Sequence, residues 1–174
     1  MTRLVKMVAL SAVAAGALML VGCGGKSIGK YNLELVLDKA LEAQPPSITV
    51  NVIAPPKAEE GRWRSMDMTE YWNPNNQMRA DNKDRIKEFQ FGPGDTGMKK
   101  LSESDPIWEK WAGSEFIFVL ARLPNASGSG EQDHRRLILE RDRAYWKDVS
   151  TIKIGVKRSE LSLETAKSTP PPPK

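Results

Sequence analysis

Apolar side chains recur at every second position through several short windows of the chain. In "YNLELVLD" Leu33, Leu35 and Leu37 alternate with Asn32, Glu34 and Asp38, which marks a strand with one buried face, Val36 intruding on the polar side. In "SITVNVIAPP" Ile48, Val50 and Val52 alternate with Thr49 and Asn51, and Pro55-Pro56 ends the strand. "EFQF" places Phe89 and Phe91 on one face before the turn "GPGDTG". "EFIFVLARLP" is apolar on both faces and reads as a central strand, and "RRLILER" as a short strand after it. The polar, glycine-containing "NASGSGEQDH" between them suits an exposed hairpin loop. "STIKIGVKRSEL" closes the series, with Ile152, Ile154 and Val156 inward and Lys153 and Lys157 outward.

Helical signals are few and short. Ser104-Asp105-Pro106 ahead of "IWEKW" reads as a cap followed by proline at the first helical position, with an end near Gly113. A turn or short helix is expected in "SMDMTEYW", stopped by "NPNN", and another at "RDRAYWKD". Six strands with one or two short helical inserts over residues 31–165 define an all-β protein, a small β-sandwich of transthyretin-like or immunoglobulin-like type.

The N-terminal segment follows a different rule. Arg3 and Lys6 precede a stretch from Met7 to Gly22 that carries no charge. As a helix it would reach only about 24 Å, short of the roughly 30 Å of a bilayer core, and its flanks match a secretory signal peptide over residues 1–22. The stretch ends in Leu20-Val21-Gly22-Cys23, which resembles the bacterial lipobox. That resemblance implies lipid attachment to the Cys23 thiol, cleavage between Gly22 and Cys23 by signal peptidase II, and acylation of the new N-terminus. Gly24, in place of an aspartate, is similar to lipoproteins sorted to the outer membrane and facing the periplasm. Residues 23–30, including "GGKSIGK", are then a lipidated tether. Residues 166–174, ending "STPPPPK", form a proline-rich tail expected to be disordered and extended.

Charge and composition narrow the chemistry. Of the net +4, two charges sit in the leader at Arg3 and Lys6, which leaves a mature chain of +2 without the basic blocks that nucleic acid requires. Cys23 is the only cysteine, so a lipidated chain has no thiol for a disulfide, a nucleophile or a metal. The single histidine, His134, lies beside Asp133 in a polar loop, too little for a zinc site or a histidine-based triad. "GPGDTG" lacks the Lys-Ser/Thr of a phosphate-binding loop. The acidic pairs Glu59/Glu60 and Glu103/Asp105 fall in polar stretches where solvated carboxylates are the norm. No metal, cofactor or catalytic residue is expected.

Aromatic residues are the remaining candidates. Trp108 and Trp111 share a face of the short helix and suit packing over an open end of the sandwich. Trp63, Tyr71 and Trp72 lie in the long insert after the second strand, near two methionines, and are the candidate contacts for a partner protein or a ligand.

The order of these features is similar to the outer-membrane lipoprotein of type VI secretion systems. The resemblance rests on "YNLELVLD", "SITVNVIAPP", the "MTEYW" insert, "FIFVLARLP" and "STIKIGVKRSEL". It implies a transthyretin-like sandwich that tethers an inner-membrane protein's periplasmic domain to the outer membrane, and only Cys23 carries over as a functional position. The leading expectation is a non-enzymatic, lipid-anchored periplasmic protein that binds another envelope protein. The alternative is a small-ligand or cell-wall glycan module using Trp63, Tyr71 and Trp72.

Overall fold

The computed structural model describes residues 28–42, 47–95, 97–124 and 126–169. Eight strands form two four-stranded sheets: β1 (Asn32–Leu37), β2 (Ile48–Ile53), β3 (Lys87–Phe91), β4 (Met98–Leu101), β5 (Phe116–Ala121), β6 (Arg136–Glu140), β7 (Thr151–Val156) and β8 (Leu161–Leu163). The first sheet has the order β4-β1-β7-β8, and the second β3-β2-β5-β6. The second is antiparallel throughout, whereas β1 and β7 run parallel, with Leu33 opposite Ile152 and Leu35 opposite Ile154.

The period-2 residues build the interface between the sheets. Leu33, Leu35, Leu37, Ile152, Ile154 and Val156 from one sheet meet Ile48, Val50, Val52, Ile117, Val119 and Leu139 from the other, all buried. This is the expected β-sandwich. Two strands exceed the expected six. The window "MKKL" has too little alternation to announce β4, which forms because β1 offers it an antiparallel partner, Leu33 opposite Leu101. The segment read as one final strand folds back on itself, so that Val156 of β7 pairs with Leu161 of β8.

Helical segments are also more numerous than the one or two expected. They are α1 (Lys39–Glu42), α2 (Glu60–Ser65), α3 (Met68–Tyr71), α4 (Gln77–Asp81) and α5 (Ile107–Lys110). Each is too short to be stable alone and is held by its ends and its buried face. Asp67 caps α3 by accepting from the Thr69 and Glu70 amides at 2.7 and 2.9 Å, and Asn76 caps α4 through Arg79 N–H at 2.8 Å. Before α5, Asp105 accepts from Ile107 N–H at 2.9 Å. At the far end of α2, the buried Arg136 of β6 donates to the carbonyls of Trp63, Arg64 and Met66. Those acceptors would otherwise be orphaned where the helix stops.

Helices α2, α3 and α4 form a third layer on the outer face of the second sheet. Ile53, Phe118 and Leu120 project there from β2 and β5 against Trp63, Met66, Met68, Tyr71 and Met78. The double-sided apolar character of β5 follows from this second, smaller core. Trp108 and Trp111 pack edge to face at 5.0 Å within the inter-sheet core, and their indole N–H groups donate to Ser102 O and Arg85 O at 2.8 Å each.

Both ends of the described chain are fastened to the sandwich. Ile28–Lys30, the last residues of the expected tether, lie along the segment after β6: Gly29 N–H donates to Arg141 O at 2.8 Å, Ile28 bridges to Asp142, and Lys30 pairs with Glu109. The buried Arg141 guanidinium donates to Gly29 O, Trp111 O and Ser114 O at 3.2, 2.5 and 3.1 Å, and lies over the Trp108 ring. Burial lowers the pKa of Arg141 to about 10, still far above neutrality, so it remains a cation. At the other end, the start of the expected disordered tail is also fixed: Ser168 N–H donates to Tyr145 O at 2.8 Å and Lys167 pairs with Glu140.

Candidate functional site

Cys23 and Gly22 lie outside the described residues. The three aromatic candidates have different fates. Trp63 and Tyr71 are fully buried, edge to face at 6.1 Å, with Trp63 also against Phe118. They form the small core between the helical layer and the sheet and offer no contact surface, which corrects that expectation. A tryptophan and a tyrosine are large enough to seal a sheet face by themselves, so their bulk was required for packing. Trp72 is half-buried and lies at the rim of a groove.

That groove, about 600 Å³, runs between the exposed part of the second sheet and helices α3 and α4. Thr49 and Asn51 of β2 form its floor, Glu88 of β3 and Arg122 after β5 its sheet-side walls, and Trp72, Arg79 and Lys83 the opposite wall. A second hollow of about 780 Å³ shares Thr49, Trp72, Pro74 and Arg122 with it and continues toward Glu70 and Arg135. The two make one elongated depression.

Asn51 differs from the solvated polar-face residue expected from alternation, because the helical layer covers it and leaves it buried. Its Nδ2 donates to the Tyr71 hydroxyl at 2.9 Å, and its Oδ1 has no partner. Burial raises the Tyr71 hydroxyl to about 12, so it stays protonated. The indole N–H of Trp72 is likewise buried without a partner. The Arg79 guanidinium lies over the Trp72 ring at 5.8 Å and near Tyr71 at 6.0 Å, a cation–π arrangement that covers the aromatic face a sugar would stack on. Arg79, Lys83 and Arg122 have no carboxylate within ion-pair distance among the described residues. By contrast, Arg135 is held by Asp133 at 2.7 Å.

Sequence reasoning missed Asn51, Arg79, Lys83 and Arg122 as a set. They are scattered over more than one element and only the fold assembles them. The remaining polar candidates are engaged locally or exposed. Glu60 pairs with Arg64 and Asp105 with Lys87, each at 2.7 Å; Glu59 accepts from Trp63 Nε1 at 3.4 Å, and His134 is exposed. No group of three or more acidic, histidine or cysteine side chains able to hold a metal occurs among the described residues.

These features define a β-sandwich with a helical layer and a cation-lined groove. The chain matches no protein-family model, and no curated protein resembles it in sequence. Solved structures do resemble it in shape. A type VI membrane complex chain is similar at 17% identity, over 80% of this chain and 100% of the other, with a TM-score of 0.53. A structure of the type VI secretion protein TssM C-terminal domain from EAEC is similar at 18% identity, over 76% and 98%, with a TM-score of 0.51. Serratia marcescens Lip, a membrane-bound component of the type VI secretion system, is similar at 17% identity over 80% and 98%, with a TM-score of 0.47. The first two likenesses establish a shared fold.

Proposed function

We propose that this protein is a lipid-anchored component of a type VI secretion membrane complex, a non-enzymatic tether that stands on the outer membrane, faces the periplasm and binds another envelope protein. The observation that carries the reading is the pairing of two independent features. Cys23 closes the uncharged run from Met7 to Gly22, and the sandwich that follows is similar in fold to a chain of a type VI membrane complex and to one from a structure of the type VI secretion protein TssM C-terminal domain, over nearly all of their length. The physical logic is confinement. One acyl chain anchors marginally and two or more anchor stably, at about 0.8 kcal/mol per buried CH₂. From Cys23 to the fastened Ile28 the chain can reach no more than about 18 Å, so the sandwich is held close to its membrane. A partner in the same thin layer meets it at high effective concentration, and a modest interface then suffices.

Palmitate labelling of the protein in its own host tests the anchor. The expected result is label on the wild type, none on Cys23→Ser, and release of that variant from the membrane fraction. In vivo crosslinking then tests the tether: a specific envelope protein should be captured by the wild type. An unlabelled wild type that keeps its leader overturns the anchor, and capture of no envelope protein overturns the tether.

A further inference from the structure

We propose that the groove beside Trp72 is a binding site for an acidic segment of extended polypeptide. The inference stands on the groove and not on the anchor or the membrane-complex reading.

Two properties of the groove identify its ligand. The first is the pair of unpaired groups. Asn51 presents a buried carbonyl oxygen and Trp72 a buried indole N–H, and neither has a partner. Leaving such groups unpaired is costly, so a ligand that satisfies both recovers that cost. A peptide backbone repeats a donor and an acceptor along its length, whereas sulfate offers acceptors alone and inorganic phosphate is too compact to follow the depression. The second property is charge. Arg79, Lys83 and Arg122 line the first hollow against one carboxylate, Glu88, and the continuation adds Glu70 together with Arg135, which Asp133 already holds, so unpaired cations outnumber carboxylates three to two along the depression. Two guanidiniums suit carboxylates through paired N–H groups. The continuation of the depression past Thr49, Trp72, Pro74 and Arg122 gives it length, which suits an extended segment better than a compact ion. Arg79 lies over the Trp72 ring in the groove wall. Both unpaired atoms are buried, so a ligand reaches them only as that wall moves, and this movement is part of the proposal.

The protein carries its own reporter. Of its five tryptophans, Trp63, Trp108, Trp111 and Trp146 are buried, at most 2% exposed, and Trp72 alone borders the groove. The test uses the full chain as isolated from its host, in detergent micelles, and two probes, the peptide acetyl-Gly-Glu-Val-Glu-Gly-Glu-amide and the same peptide with glutamine for glutamate. The acidic peptide is expected to shift tryptophan fluorescence saturably and to bind at least about tenfold more tightly than its neutral twin, with affinity falling as salt rises. Arg79→Gln and Arg122→Gln should each weaken binding several-fold, Trp72→Phe should abolish the optical signal, and Lys153→Gln, on the other sheet, should change nothing. Equal binding of the two peptides, binding unaffected by both arginine variants, or no saturation by the acidic peptide overturns the proposal. So does equally tight binding of inorganic phosphate, which would make the groove a simple anion site, or preferential saturation by a chitooligosaccharide.

Discussion

Replacing Arg141 with methionine should unfasten the start of the chain and destabilise the whole sandwich. Methionine keeps most of the apolar length of the side chain but removes every N–H donor. Of the three carbonyls that Arg141 serves, Trp111 O retains the Ser114 amide at 3.1 Å, while no other donor among the described residues reaches Gly29 O or Ser114 O. Two buried acceptors left unpaired cost about 1–3 kcal/mol each. Part is offset, because a buried cation no longer has to be desolvated. The lost contact between the guanidinium and the Trp108 ring, at 5.2 Å, restores about 0.5–1 kcal/mol to the penalty. The net loss should be about 2–4 kcal/mol, or a fall in Tm of roughly 10 °C for a domain of this size. Urea unfolding followed by tryptophan fluorescence measures it, because four tryptophans lie in the two cores. A loss below about 0.5 kcal/mol would refute the reasoning and show that the guanidinium and its acceptors gain nothing net from meeting.

Other perturbations separate the remaining layers. Asp67→Ala removes both bonds at the start of α3 and should cost about 1 kcal/mol in urea unfolding, with no change elsewhere in the fold. Tyr71→Phe strips the Asn51 side chain of its only partner among the described residues and should cost about 1–2 kcal/mol despite the nearly unchanged volume, read by the same assay. Gly128 has φ +117°, and an added Cβ would sit 2.6 Å from Gln132 O; Gly128→Ala should therefore lower Tm, with a cost of at least about 1–3 kcal/mol. Asp133 is buried, which raises its pKa, but the bonds and charge of Arg135 outweigh burial and hold the carboxyl below its ordinary 3.8. Its folded value is depressed, so its contribution is present above about pH 4 and fades as pH falls through the depressed value. Asp133→Asn should be less stable than wild type at pH 7, and the gap measured by thermal melts should close as the pH is lowered below about 4.

The parts of the fold legible in the sequence are those where a strand has one dry face. Leu33, Leu35 and Leu37, or Ile152, Ile154 and Val156, announce themselves because solvent lies opposite. Where a third layer covers the other face, the rule fails in an informative way. Asn51 keeps a polar side chain at a position that alternation assigns to water, and the helical insert buries it. The insert itself has no readable period, because α2, α3 and α4 are one to two turns each and are fixed by Asp67, Asn76 and a distant arginine, Arg136. The same shortness made Trp63 and Tyr71 look available for contact: an aromatic in a polar, methionine-bearing stretch reads alike whether it meets a partner or its own sheet. Of the groove only Trp72 was legible, since Asn51, Arg79 and Arg122 come together only when β2, α4 and the end of β5 do.

The fastening of Ile28–Lys30 has a mechanical consequence. Tension applied at Ile28 first meets the clamp at Gly29 and then passes into β1, an interior strand paired with β7 from Asn32 to Leu37 and with β4 from Leu33 to Val36. A pull along β1 loads those cross-strand bonds sideways and together, since they lie roughly across the strand direction. They share the force instead of parting one by one like a zip opened from its end. A sandwich pulled by its first strand resists stretching best when that strand lies inside a sheet, as β1 does.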